Sequence, residues 1–169
     1  MERPRTRPEV TAPKNDDGYF EAMTRAVFQA GIDWGVIRKR WPAFRKAFKR
    51  FSVKKVALFS PDDVDYLLSA DSGVVRNFKK VSATLHNAAK VMEVREEFGS
   101  FRAYLRSMDE MPYAARVKDL KRRFKHVGDT GAFVFLYSVG EDVPSWHDRK
   151  VSGKRRATPV QRHARGRGE

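Results

Sequence analysis

Cysteine is absent from the 169 residues. Disulfides, thiolate nucleophiles and cysteine-based zinc sites are thereby excluded, and the absence agrees with a reducing compartment. No apolar run approaches the roughly 20 residues of a membrane-spanning helix. The opening MERPRTRPEV lacks the apolar stretch of a secretory signal. The expectation is a cytoplasmic, nucleoid-associated protein. Strand-like alternation with paired turn signals is missing, and so are internal repeats. Acidic side chains are scarce beside basic ones: 21 Asp and Glu face 35 Lys and Arg, a net charge of +14.

What is present is enough apolar material for a core, 41% of residues with twelve Phe and three Trp. Whole-chain disorder is therefore excluded. A surface this basic repels its own copies, so a monomer is expected, and it attracts polyanions. Nucleic acid is the first such partner, because each neutralised phosphate releases condensed counterions. No aromatic-rich sheet motif points to RNA. A membrane surface is disfavoured because the aromatics are spread through the folded region, whereas the concentrated basic tail has almost none.

Punctuation along the chain is helical. Residues 1–16 hold three Pro and no periodicity and are read as a flexible lead. Residues 148–169 carry eight Lys or Arg against Asp148 and Glu169, a local net of +6. This is read as a disordered basic tail that either contacts phosphates or aids solubility. The region between, 17–147, is one helical domain of seven to nine short helices. Phe20 to Ala30 reads as a helix broken at Gly31. Ser60-Pro61-Asp62-Asp63 and Ser100 are N-terminal capping signals. The spacing of Val74, Val75, Phe78, Val81, Leu85, Ala88, Ala89 and Met92 predicts one apolar stripe on a long helix ending near Gly99.

Residues 115–139, ARVKDLKRRFKHVGDTGAFVFLYSV, read as a basic helix, a short connector through Phe124-Lys125-His126-Val127-Gly128, and an apolar helix opened by Thr130 and Gly131. A helix-hairpin-helix element has this form. Gly128 would admit a phosphate close to the backbone, and the free N–H groups of the next helix would bind it. An ordinary helix–helix connection capped by the glycine is the alternative.

These segments resemble the DNA-3-methyladenine glycosylase I family of the helix-hairpin-helix glycosylases. The residues that carry the resemblance are Phe20-Glu21-Ala22-Met23, Phe28-Gln29-Ala30-Gly31-Ile32-Asp33-Trp34, Phe44 to Phe48 with Phe51, Gly73-Val74-Val75-Arg76-Asn77 with Lys80-Val81, Asn87-Ala88, Phe98 to Phe101, and Phe124-Lys125 with Val127-Gly128. The resemblance implies an all-α bundle and an enzyme of base excision repair. Such an enzyme flips a damaged nucleotide out of double-stranded DNA and hydrolyses the glycosidic bond of an alkylated purine, without a cofactor. Trp34 matches the family's base-stacking residue, with Phe28 and Tyr19 as pocket walls. Ile32 matches the wedge into the base stack. Arg76, Lys80, Lys125, Val127, Gly128 and Thr130 are the further candidate DNA-contacting residues. Core packing is the alternative for Trp34 and Ile32.

The chain also departs from the family. The family's base-recognising Glu aligns with Ala26, and Ser145 stands where related enzymes place a catalytic Asp. The family's zinc site, built from Cys and His, has no Cys to form it, so no metal is expected. Glu21 is a poor substitute for Ala26, since five residues place the two about 140° apart on a helix. Asp33 is the nominated catalytic carboxylate, with a helix N-cap as its other reading. Excision of alkylated bases and binding of damaged DNA without excision are the two functions left open.

Overall fold

The computed structural model describes residues 9–151. Among them the regular structure is entirely helical: α1 (Asp16–Gln29), α2 (Trp34–Ala47), α3 (Val53–Ala57), α4 (Pro61–Leu67), α5 (Phe78–Phe98), α6 (Phe101–Ser107), α7 (Tyr113–Arg123) and α8 (Asp129–Ser138), with short 3₁₀ turns at Lys49–Phe51, Ala70–Ser72 and Trp146–Asp148. Helix α1 packs on α5 and α8, α5 carries α3 and α6, and α7 pairs with α8. Helix α8 is buried almost all round, from Gly131 to Leu136 and again at Ser138. Such a helix has no polar face to show and belongs to the centre of a fold.

The start of α1 organises the bundle by capping. Asn15 caps α1 itself through Gly18 N at 3.0 Å. Its two neighbours reach other helices: Asp16 Oδ1 accepts from Phe101 N at the start of α6 (2.9 Å), and Asp17 Oδ1 accepts from Val53 N at the start of α3 (3.0 Å). Three consecutive side chains thus satisfy orphan donors of three helices.

Ser60 and Asp63 form the expected capping box on α4, and Ser100 caps α6 through Ala103 N. The long helix begins later than its apolar stripe predicts. Asn77 caps α5 through Lys80 N at 3.1 Å, which leaves Val74 and Val75 in the preceding segment. The buried face of α5 includes Val81, Thr84, Ala88, Val91 and Val94, while Phe78 and Met92 are exposed. The packed region also reaches past 17–147 at both ends. Thr11 N donates to Ser138 O (2.8 Å), Arg149 is buried, and Val151 N donates to Asp129 Oδ2 (3.0 Å). Both tethers end on α8. The remainder of the expected lead and tail lies outside the described residues.

Between α2 and α3, Lys49, Arg50 and Phe51 all have left-handed backbone angles, with φ of 52°, 56° and 57°. For residues other than glycine this costs roughly 1–2 kcal/mol each. An aromatic stack offsets it: Phe51 is fully buried, with ring centroids 5.2 Å from Trp41 and 5.7 Å from Phe48. Lys49 and Arg50 are left facing solvent.

Candidate active site

The site is built around the turn that joins α1 to α2. Helix α1 ends at Gln29, Gly31 takes φ +74°, and Asp33 caps α2 by accepting from Val36 N at 3.1 Å. Trp34 is the first residue of α2 and is half-buried. Gln29 and Trp34 together face two adjoining cavities. The smaller, of about 30 Å³, is a recess walled by Ala26, Trp34, Thr130, Val134 and Trp146. It has the room of about one water. The larger, of about 330 Å³, is lined by Glu9, Arg25, Trp41, Arg38 and Arg45 among others.

Gln29 is the chemically informative member. It is 8% exposed, yet its Oε1 has no hydrogen-bond partner. A buried acceptor left unpaired costs about 1–3 kcal/mol, so the position calls for a donor. Gln29 lies three residues after Ala26, about 60° round the helix from it, and both face the recess. No carboxylate lines the recess among the described residues.

The sequence-based assignments divide. Trp34 stands in the site, and Ile32 is half-buried at the edge of the core beside it. Asp33 is exposed and occupied as the α2 cap, so it does not enter the recess. Phe28 is wholly buried, edge-on to Phe44 at 4.8 Å, and is core rather than pocket wall. Tyr19 stacks on Phe101 at 5.0 Å, away from the recess lining. Lys80 is 5% exposed. Its ammonium donates to the carbonyls of Phe28 (3.2 Å) and Ala30, at the end of α1. It therefore closes a helix rather than meeting a phosphate. Arg76 is exposed. Ser145 donates to Asp148 in the last 3₁₀ turn, and Asp142 is exposed; neither lines the recess.

Glu21 serves the larger cavity's wall. It accepts from Trp41 Nε1 at 3.0 Å and pairs with Arg25 (3.7 Å) and Arg45 (3.4 Å). The Arg25 guanidinium lies 4.7 Å over the Trp41 ring, and burial lowers its pKa from the usual value.

The hairpin forms as α7, a connector and α8. Its left-handed residue is His126, at φ +57°, and not the glycine. Gly128 has φ −86° and is the N-cap of α8, with no side chain capping the helix. A Cβ there would meet nothing within 4 Å. Neither backbone angle nor packing requires a glycine, which leaves an open approach to the first N–H groups of α8. The connector is held by Asn87, which accepts from Lys125 N (2.8 Å) and donates to Lys125 O (3.0 Å). The Lys125 side chain is exposed, whereas that of Val127 is buried, so only the main chain of Val127 can face a ligand. Thr130 Oγ1 accepts from Arg149 Nε at 3.2 Å, and the Arg149 guanidinium stacks 4.0 Å from the Trp146 ring. Trp146 is thereby fixed as the far wall of the recess.

Among the described residues no three His, Asp or Glu side chains gather within metal-ligating range of one another.

Residues 9–122 match the family model described as methyladenine glycosylase. The chain belongs to the methyladenine glycosylase family. It is 26% identical over 140 residues to the DNA-3-methyladenine glycosylase of Haemophilus influenzae, covering 72% of this chain and 75% of that one. DNA-3-methyladenine glycosylase 1 of Escherichia coli is equally similar, at 26% over 140 residues, with 72% and 74% covered. The fold superposes on 3-methyladenine DNA glycosylase I of Staphylococcus aureus with a TM-score of 0.70 at 25% identity, over 79% of this chain and 80% of that one. A related solved structure of the same TM-score holds 3-methyladenine. The family match ends just before the hairpin connector, at the last turn of α7.

Two residues of the site escape a sequence reading. Gln29 sits inside the matched QAG segment, and its i, i+3 relation to Ala26 is the signal that could have singled it out. Trp146 lies in an irregular segment whose course no local pattern predicts.

Proposed function

We propose that this protein is a DNA glycosylase of base excision repair that releases cationic alkylated purines such as 3-methyladenine from double-stranded DNA. The observation that carries the reading is the unpaired Gln29 Oε1 beside Trp34 at the recess where the family's Glu position, Ala26, also lies. An N3-methylated adenine carries a positive charge and an amino donor. Two indoles, Trp34 and Trp146, suit that charge by stacking and cation–π attraction. Gln29 Oε1 suits the amino group, through a hydrogen bond strengthened by the charge on the donor. The recess is too small for a purine as it stands, so entry requires Trp146 to swing away from the Arg149 guanidinium and the Phe133 ring that hold it.

The chemistry asks little of the protein. As the C1′–N9 bond breaks, its electron pair neutralises the base, which leaves without protonation. Water adds to C1′ and loses a proton to solvent. With no carboxylate at the recess, a neutral base would lack the roughly 10²- to 10⁴-fold help that a positioned acid–base group supplies. The substrate range is therefore the charged lesions. The Gly128 edge of α8 and the exposed Lys125 are assigned to the phosphate backbone. The locus of action is the DNA of the nucleoid, and the protein acts as a monomer.

The test is chromatography of bases released from N-methylated duplex. The wild type is expected to release 3-methyladenine, and Trp34→Ala to lose at least about tenfold in rate. Tight binding of methylated duplex with no release would make the protein a damage-binding relative instead.

A further inference from the structure

The concave surface continues past the recess along α2. The arginine-lined cavity shares Pro42 and Arg45 with an open groove of about 780 Å³, whose other walls are Lys46, Lys49, Arg50 and Lys55. Five of these six residues are cations. Among the described residues only Arg45 of the five has a carboxylate in ion-pair range, Glu21 at 3.4 Å. Helix α2 carries Arg38, Lys39, Arg40, Arg45 and Lys46 and not one acid.

We infer that this groove is a second binding site for the phosphodiester backbone of the substrate duplex, separate from the hairpin. The inference rests on the DNA-substrate reading above and extends it to a surface which that reading leaves without a role. Three independent observations support it. The first is charge: four cations without a carboxylate partner on one concave face repel each other, and a polyanion relieves that repulsion. The second is backbone: the left-handed turn directs Lys49 and Arg50 outward where two ordinary helical residues would continue α2. Strained backbone of this kind concentrates at ligand sites. The third is continuity: one unbroken wall, with Trp34 at one end and Arg45 at the other, joins the recess to the groove.

The geometry also sets a length. Eleven residues of α2 separate Trp34 from Arg45, which is about 16 Å of helix. For a duplex laid along α2, at about 3.4 Å of rise per base pair, the groove meets backbone about five base pairs from the flipped nucleotide. A phosphate reaches the groove at that remove only if the duplex extends that far.

The experiment is fluorescence-anisotropy titration of full-length protein with duplexes carrying a non-hydrolysable abasic analogue. One arm is kept long, and the other is shortened from about ten to about three base pairs, on each side in turn. The variant is Lys49→Asn/Arg50→Asn/Lys55→Gln. Asn tolerates the left-handed region better than Lys or Arg, so the fold is kept, and the melting temperature reports it. For the wild type, shortening one particular arm below about five base pairs is expected to weaken binding about tenfold or more. The variant is expected to start at that weakened affinity on long duplex and to weaken no further on shortening. Its slope of log affinity against log salt should be shallower by about 0.9 for every phosphate that it no longer neutralises. A variant that binds long duplex as the wild type does would overturn the inference. So would an equal weakening on long and short arms, which would make the groove a source of bulk charge only. Because the readout is binding, a wild type that shows the arm-length effect but releases no base would overturn the glycosylase reading and leave the groove standing.

Discussion

The ammonium of Lys80 on α5 donates to the main-chain carbonyl of Ala30, the residue that precedes the left-handed Gly31. A side chain fifty residues away thus sets the direction in which the chain leaves α1 and enters the Asp33–Trp34 start of α2. Lys80→Met keeps the length and removes the donor. It should cost about 1–3 kcal/mol, since two carbonyls are left without their partner. Burial lowers the Lys80 pKa from its ordinary 10.5. The unfolded chain therefore holds the proton more tightly, and wild-type stability should fall, at this group, as pH drops from 10.5 towards the folded pKa and gain as pH rises across the same window. Thermal melts across that alkaline range should show the gain in the wild type and not in Lys80→Met.

Gln29→Leu fills nearly the same space and removes the orphan acceptor. Folding stability should rise or stay level, because an unpaired buried oxygen is gone. Release of 3-methyladenine should fall about tenfold at unchanged affinity for undamaged duplex, the equivalent of one hydrogen bond to a charged donor. Equal release by the variant and the wild type in single-turnover assays would remove Gln29 from base recognition.

Gly128→Ala separates fold from function at the hairpin. The added methyl group meets no neighbour and the backbone angle is ordinary, so the melting temperature should shift little. Affinity for duplex DNA should nonetheless drop severalfold, because the methyl group stands between a phosphate and the N–H groups of α8. Paired calorimetry and binding titrations test both halves.

Asp33 distinguishes capping from chemistry. Asp33→Ala should cost about 1 kcal/mol by removing the α2 cap, while Asp33→Ser should restore stability and full base release. A stable but inactive Asp33→Ser protein would return the carboxylate to the reaction.

Asp119 gives the acid limb of stability. Burial raises its pKa, but hydrogen bonds from Tyr104 (2.6 Å), Arg122 (2.7 Å) and Arg123 (2.9 Å) outweigh burial and hold it below the usual 3.8. Its stabilisation is present above pH 3.8 and lost as pH falls through the lower folded value. Asp119→Asn should be less stable at neutral pH and lose less on acidification, as followed by circular dichroism.

The helical class, the caps at Ser60 and Ser100 and the break at Gly31 were legible because each is a local signal that acts through its own neighbours. Trp34 was nominated by the family resemblance of its QAG segment, and it stands at the first turn of α2 beside the recess. The roles of Lys80, Phe28 and Tyr19 were not legible, because they depend on which helix lies opposite. A lysine in a basic sequence reads as solvated until an approaching helix end buries it. Asp33 illustrates the reverse: its local role as a cap prevailed over a distant one, since the helix start claims the carboxylate within three residues. Trp146 could not be placed at all, because the segment around it follows tertiary packing and has no period.

The three capping side chains at Asn15, Asp16 and Asp17 bear on the order of events during synthesis. Helices α3 and α6 are five and seven residues long, too short to persist alone. Their first turns are closed by partners 36 and 85 positions away. A nascent chain released as far as α5 can close the first of these joins but must leave Asp16 waiting for the second. Arg95 on α5 can pair with that carboxylate earlier, but its capping bond to Phe101 N forms only after residue 101 has left the ribosome, so cooperative folding of this bundle is tied to an advanced stage of translation.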